Sequence, residues 1–167
     1  MENGAGYCNY LSGRMYPKIP LDAHVKPLLK EGKIFEMLVA ESHSDECYNS
    51  CYDCLRDFYN QQYHSILDWR LGLDLAKLAA NEGAKIDFSE NYWQPFVKKI
   101  AEILSKRMDG EAKEIGESVF SIQKQDESKL ITHPFWSNSK IDKLKKIVND
   151  KYVTELSIYD AIRKSQY

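Results

Sequence analysis

No hydrophobic run in this 167-residue chain is long enough to span a bilayer, and its opening residues carry no signal-peptide pattern, so neither a membrane-spanning nor a secreted protein is expected. No glycine-rich Gly-Lys-Thr or Gly-Lys-Ser loop and no DEAD or DEAH box occurs, which excludes a nucleotide-hydrolysing motor of that kind in these residues. Internal repeats and low-complexity segments are also absent. The formal net charge is only −2, so the chain as a whole is not an electrostatic binder of nucleic acid. Cysteine is scarce. Four residues in a chain of this length do not make a disulfide scaffold, and the expectation is a reducing, cytoplasmic compartment in which clustered thiols bind metal.

What is present is concentrated in one segment. His43-Ser-Asp-Glu-Cys47-Tyr-Asn-Ser-Cys51-Tyr-Asp-Cys54 holds three of the four cysteines and one of the four histidines. Zn²⁺ takes four nitrogen or sulfur ligands in a tetrahedron, and closely spaced ligands around a turn supply them with little loop-closure cost. Ser50 resembles an N-cap with Asp53 three residues on, which predicts a helix starting at Cys51 with Cys51 and Cys54 on one face. The positive end of that helix would favour both thiolates. Cys47 and His43 then complete the tetrahedron from the preceding loop, with Cys8 and His64 as the alternatives for the fourth position. Arg56 is the only basic residue close to the knuckle, which suits a His-Cys₃ site of formal charge −1 better than a Cys₄ site of −2. A closed four-ligand set makes the zinc structural. The competing reading is an inert buried cysteine cluster or a disulfide.

Around this knuckle the pattern is mostly helical. Pro17, Pro20 and Pro27 break the early chain, and Ile34 to Ala40 reads as a buried helix. A helix from Cys51 through Leu55 and Phe58 is interrupted at Asn60-Gln61-Gln62. Another follows from Ser65 to Ala80, with Leu67, Leu71, Leu75 and Leu78 as its core stripe and Gly83 as its C-cap, and a third from Tyr92 to Lys106. Glu117 to Gln123 and Lys129 to Thr132 predict a hairpin, and Lys140 to Asn149 a further amphipathic helix. The fold class is therefore α+β: a helical zinc-binding lobe over residues 1–110, then a smaller lobe over 111–167 with a hairpin or small antiparallel sheet and C-terminal helices. The eleven tyrosines and three tryptophans suit a small domain that leans on a metal. The Gly4-Ala5-Gly6 turn normally follows a strand, so the chain is read as a fragment that begins inside a larger protein.

Other constellations carry less. Asp68, Arg70 and Asp74 read as helix-surface pairs rather than catalytic groups. Lys140, Lys143, Lys145 and Lys146 crowd one helix and Lys98, Lys99, Lys106 and Arg107 another; either group can reach phosphates, although a solvated face explains both. His133 reads as a packed strand-end residue. A metal-dependent nuclease using Glu117 with Lys129 or His133 is the enzymatic alternative, and a deaminase-type zinc site fails because His43-Ser44-Asp45 lacks the His-x-Glu proton shuttle.

Taken in order, Gly4-Ala5-Gly6-Tyr7, His43-x-x-x-Cys47, Ser50-Cys51-Tyr52-Asp53-Cys54-Leu55-Arg56-Asp57, Asn60-Gln61, His64 and Leu67-Asp68-Trp69-Arg70-Leu71 resemble the MrfA-type zinc-binding (MZB) domain. That module lies at or near the C-terminus of bacterial superfamily 2 helicases and helicase-associated proteins, including phage-defence components. The likeness covers about the first half of the chain, and its SCYDCLRD run is the most specific part. It implies a non-catalytic zinc-binding accessory domain, with a motor domain in the same chain or complex as partner and DNA as a further contact. It also implies Cys47, Cys51 and Cys54 as ligands, and Asn60 and His64 as residues that orient ligands or brace the turn.

Overall fold

The computed structural model describes residues 25–81, 83–148 and 150–166. The fold is α+β, and the chain divides into two compact units between Ala84 and Lys85.

In the first unit a 3-10 turn, Lys26–Leu28, leads to helix α1, Lys33–Val39, and the short helix α2, Glu41–Ser44. Gly32 is required between the turn and α1, because a Cβ there would lie 2.4 Å from the Pro27 carbonyl oxygen. Helix α1 buries Phe35 and Leu38, while Ile34 and Met37 stay exposed, so it is half-buried rather than fully enclosed. No helix starts at Cys51. Residues 52–55 form turns in which the Cys51 carbonyl accepts N–H bonds from Cys54, Leu55 and Arg56. Ser50 does not cap: its hydroxyl accepts from Arg56 Nε at 3.0 Å and donates to His64 O at 3.4 Å. Asp57 is the cap instead. It starts a 3-10 segment, Phe58–Ile66, by accepting from Tyr59 N, and the segment kinks at Asn60 (φ −111°, ψ 17°).

Helix α2 is joined through this segment to helix α3, Trp69–Ala80, which begins four residues later than its apolar spacing suggests because Asp68 caps it by accepting from Arg70 N and Leu71 N. The buried face of α3 is Trp69, Leu73 and Ala76, not the leucine stripe, and Leu75 is 58% exposed. Asn81, not Gly83, is its C-cap. Among the described residues the apolar core of this unit is small: Val25, Phe35, Leu38, Cys47, Trp69, Leu73 and Ala76.

The second unit carries a four-stranded sheet of order β1-β2-β3-β4. Helix α4, Gln94–Met108, admits Pro95 in its first turn and ends at Asp109 in the left-handed conformation. Strands β1 (Glu111–Gly116), β2 (Val119–Lys124) and β3 (Glu127–Thr132) form an antiparallel meander. The predicted hairpin is thus present as β2 and β3, with β1 added outside it. Helix α5, Asn138–Val148, then crosses over to β4, Tyr152–Ser157, which pairs parallel to β3, so the sheet is mixed rather than antiparallel. Helix α6, Ile158–Gln166, follows, with the Ser157 hydroxyl accepting from Asp160 N. Helix α4 packs on β1, β2 and α6, which places it with the sheet and not in the first lobe of a division at residue 110. Its core is aromatic-rich, with Phe88, Trp93 and Trp136 around the buried His133. No helix among the described residues is long and apolar enough to cross a membrane.

Candidate metal centre

The reversal at Ala40 (ψ 141°) between α1 and α2 brings His43 back over the end of α1, where its Nδ1 lies 2.9 Å from the Leu38 carbonyl oxygen. A carbonyl can only accept, so Nδ1 carries the proton and Nε2 presents its lone pair. That lone pair faces the cysteines: Nε2 is 3.5 Å from Cys51 Sγ. Cys51 Sγ lies 3.6 Å from Cys54 Sγ, and Cys54 Sγ 3.7 Å from Cys47 Sγ. The ligand atoms of His43, Cys47, Cys51 and Cys54 all lie within 4.8 Å of one another.

These separations can be tested against a metal. Zn–S bonds of about 2.3 Å at tetrahedral angles give S···S edges of about 3.7–3.8 Å, and one shorter Zn–N bond gives an N···S edge slightly below that. Three of the six edges match, and all six lie within 4.8 Å. A His-Cys₃ group close enough to hold a metal ion is therefore present. The histidine also has the outer partner that metal-bound imidazoles usually have, a backbone carbonyl on the opposite ring nitrogen. Burial pushes the Cys47 thiol up, with the neighbouring Cys51 and Cys54 adding to the effect, and burial raises Cys54 as well. A divalent cation offsets that penalty by neutralising most of the thiolate charge.

The start of α3 holds the knuckle's first cysteine in place. Trp69 Nε1 donates to the Cys47 carbonyl at 3.3 Å, Arg70 Nη1 to Tyr48 O at 2.8 Å, and Trp69 N to Asn49 O at 3.0 Å. Three successive carbonyls are thus fixed from one helix N-terminus. The Trp69 ring also meets His43 edge-on at 5.4 Å, and the Arg70 guanidinium lies over it at 4.3 Å. Asp68 and Arg70 are consequently buried, not on the helix surface. Burial pushes Asp68 up to about 6 despite Arg70 and two N–H donors, and burial lowers Arg70 to about 10. Replacing Trp69 with Phe keeps an aromatic ring, though a smaller one, and removes the Cys47 bond. Zinc affinity is expected to fall about tenfold or more in a competition titration against a chromophoric chelator.

His64 does not join the group. Its Nε2 lies 2.8 Å from Asn60 Oδ1 and 3.1 Å from Asp57 O, while Asn60 Nδ2 donates to Leu55 O at 2.9 Å and Asn60 Oδ1 accepts from Asp57 N. These two residues brace the turn after Cys54. Cys8 and the Gly4-Ala5-Gly6 turn lie outside the described residues. Of the second unit's candidates, Lys140 pairs with Asp87 and lies over Trp136 at 4.2 Å, and Lys145 pairs with Glu155 at 2.6 Å. Lys143 and Lys146 are exposed. Glu117 sits in the β1–β2 turn at φ 49°, and His133 is enclosed by aromatic rings. No metal-type group among the described residues includes either of them. In the sequence the Trp69–Arg70 clamp is only Asp-Trp-Arg inside a helix expected from Ser65, a pattern that does not announce which carbonyls it holds.

No protein-family model matches this chain, and neither a curated protein nor a solved structure does.

Proposed function

We propose that the protein is a cytoplasmic, non-catalytic accessory module whose first unit is held together by a structural Zn²⁺ on His43, Cys47, Cys51 and Cys54. The observation that carries this reading is the set of 3.5, 3.6 and 3.7 Å separations among donors of the right chemistry. Zinc fits better than a harder cation because thiolate and imidazole are its preferred ligands, and four protein donors leave no position for a reactive water. Its resemblance to the MrfA-type zinc-binding domain supports a place beside a helicase motor in the same chain or complex, in DNA repair or phage defence. Lys143 and Lys146, with Lys140 and Lys145, are the residues through which DNA contact is proposed.

Metal content tests the centre. Protein purified without chelator is expected to carry about one zinc per chain by mass spectrometry, lost in Cys54→Ala and His43→Ala and retained in Cys8→Ala. A folded wild-type chain without metal would remove the centre, and with it the accessory-module reading.

A further inference from the structure

The knuckle is bordered by exposed rings that are not among the four ligands. Tyr52, Phe58 and Tyr59 are 67, 71 and 89% exposed, and Tyr63 is exposed beside them. Rings this large are rarely left in water in such density unless they meet something. The group is continuous. Tyr52 packs edge-on against His64 at 5.6 Å, His64 is bonded to the Asp57–Asn60 turn, and Phe58 contacts Tyr59 at 5.5 Å. A cavity of about 390 Å³ opens between α1 and the knuckle; its wall includes Met37, Glu46 and Asp53 together with three of the four ligands, His43, Cys47 and Cys51, so it is the mouth of the metal centre.

The charge of the knuckle segment is one-sided, and Glu46 and Asp53 meet at the cavity. Residues 41–57 contain five carboxylates, Glu41, Asp45, Glu46, Asp53 and Asp57, all exposed, and a single arginine, Arg56, whose Nε is directed onto Ser50. Three thiolates and a neutral imidazole around a divalent cation add a further −1. A phosphate backbone would be repelled here. Guanidinium and ammonium groups suit it on both counts, because carboxylates pair with them and tyrosine faces attract them.

We infer that this face is the docking site for an arginine- or lysine-bearing segment of a partner protein, with one cationic side chain entering the cavity between Glu46 and Asp53 and its neighbours lying on Tyr52, Phe58 and Tyr59. The inference rests on the metal-centre reading in two respects, that the metal holds the cavity wall in shape and that the centre adds its −1 to the carboxylates.

Fluorescence anisotropy on the full zinc-loaded chain tests it. The probe is a short labelled peptide of alternating arginine and alanine, with its glutamate counterpart and an oligothymidylate as controls. The arginine peptide alone is expected to bind. Glu46→Lys with Asp53→Lys is expected to weaken it about tenfold or more, and Phe58→Ser with Tyr59→Ser, at exposed positions, to weaken it also, with zinc content unchanged in both. Absence of arginine-peptide binding to a chain that holds one zinc would overturn the docking site and leave the metal centre standing. Affinity indifferent to both double variants would do the same. Oligothymidylate binding lost in Phe58→Ser with Tyr59→Ser would reassign the face to nucleic acid. A chain that binds the peptide without holding metal would overturn the metal centre and keep the docking site.

Discussion

Excess chelator is expected to unfold the first unit while the second keeps its structure. The two units differ in what holds them. Around the sheet, Phe88, Trp93, Val97, Ile100, Ile122, Leu130, Ile131 and Ile158 are at most 1% exposed. Among the described residues the knuckle has no comparable apolar layer: Cys51 and Cys54 are only half-buried, and Cys47 is itself part of the core. A structural zinc contributes apparent binding energies of roughly 10–16 kcal/mol, whereas whole domains are stable by about 5–15 kcal/mol. Removing it should take residues 33–80 past their midpoint. Hydrogen exchange read by mass spectrometry checks this: protection in α1 and α3 should collapse on chelation, protection in α4 and β2–β3 should persist, and added zinc should restore the first. Cys47→Ser should reproduce the chelated state with zinc present. Unchanged protection of α3 after complete metal removal would contradict the expectation.

Arg70→Ala is expected to be the most damaging substitution outside the four ligands. It removes the donor to Tyr48 O and the cation over Trp69, and it leaves Asp68 buried with its nearest charge gone. Breaking a buried pair by deleting one partner typically costs about 3–5 kcal/mol. Denaturant titration at saturating zinc should show that loss, and Asp68→Asn in the same background should recover part of it, because asparagine caps a helix as well as aspartate and carries no charge.

Asp68 also gives a pH signature. Its folded value of about 6 lies above its ordinary 3.8, so the folded state binds the proton more tightly than the unfolded one. The sign follows: this carboxyl favours the fold below about pH 4, and that contribution is lost as pH rises through about 6. The stability of the wild type relative to Asp68→Asn should therefore fall across that interval, by about 3 kcal/mol if the full shift is expressed. Taking the difference between the two proteins cancels the opposing effect of acid on the thiolates, which they share.

The cluster was legible in the sequence because its ligands are local: His43 to Cys54 spans so few residues that spacing alone restricts where the donors can go. The conformation between them was not. A capping pattern at Ser50 and Asp53 suggests a helix, but Arg56 occupies the Ser50 hydroxyl and the chain turns instead, bringing Cys51 and Cys54 together by a different route. The leucine spacing of α3 misled for a related reason. Periodicity locates an apolar face, yet the side that turned inward carries the buried Asp74 together with Trp69 and Arg70, which donate to carbonyls far away in sequence. In the second half, β2 and β3 were visible through their β-branched and apolar residues. Strands β1 and β4, Glu-Ala-Lys-Glu-Ile-Gly and Tyr-Val-Thr-Glu-Leu-Ser, are edge strands with mostly exposed side chains and so carry little hydrophobic signal.

The parallel pairing of β4 with β3 has a consequence for biosynthesis. Ile131 sits opposite Leu156, and the Tyr152 amide reaches back to Asp126 O, so the outer edge of β3 is satisfied by a strand that is synthesised only after α5. Until α5 has crossed over, a nascent chain displays an apolar strand with one row of unmet backbone groups, a template for pairing with other chains. Translation that stalls before Tyr152 would release this aggregation-prone form.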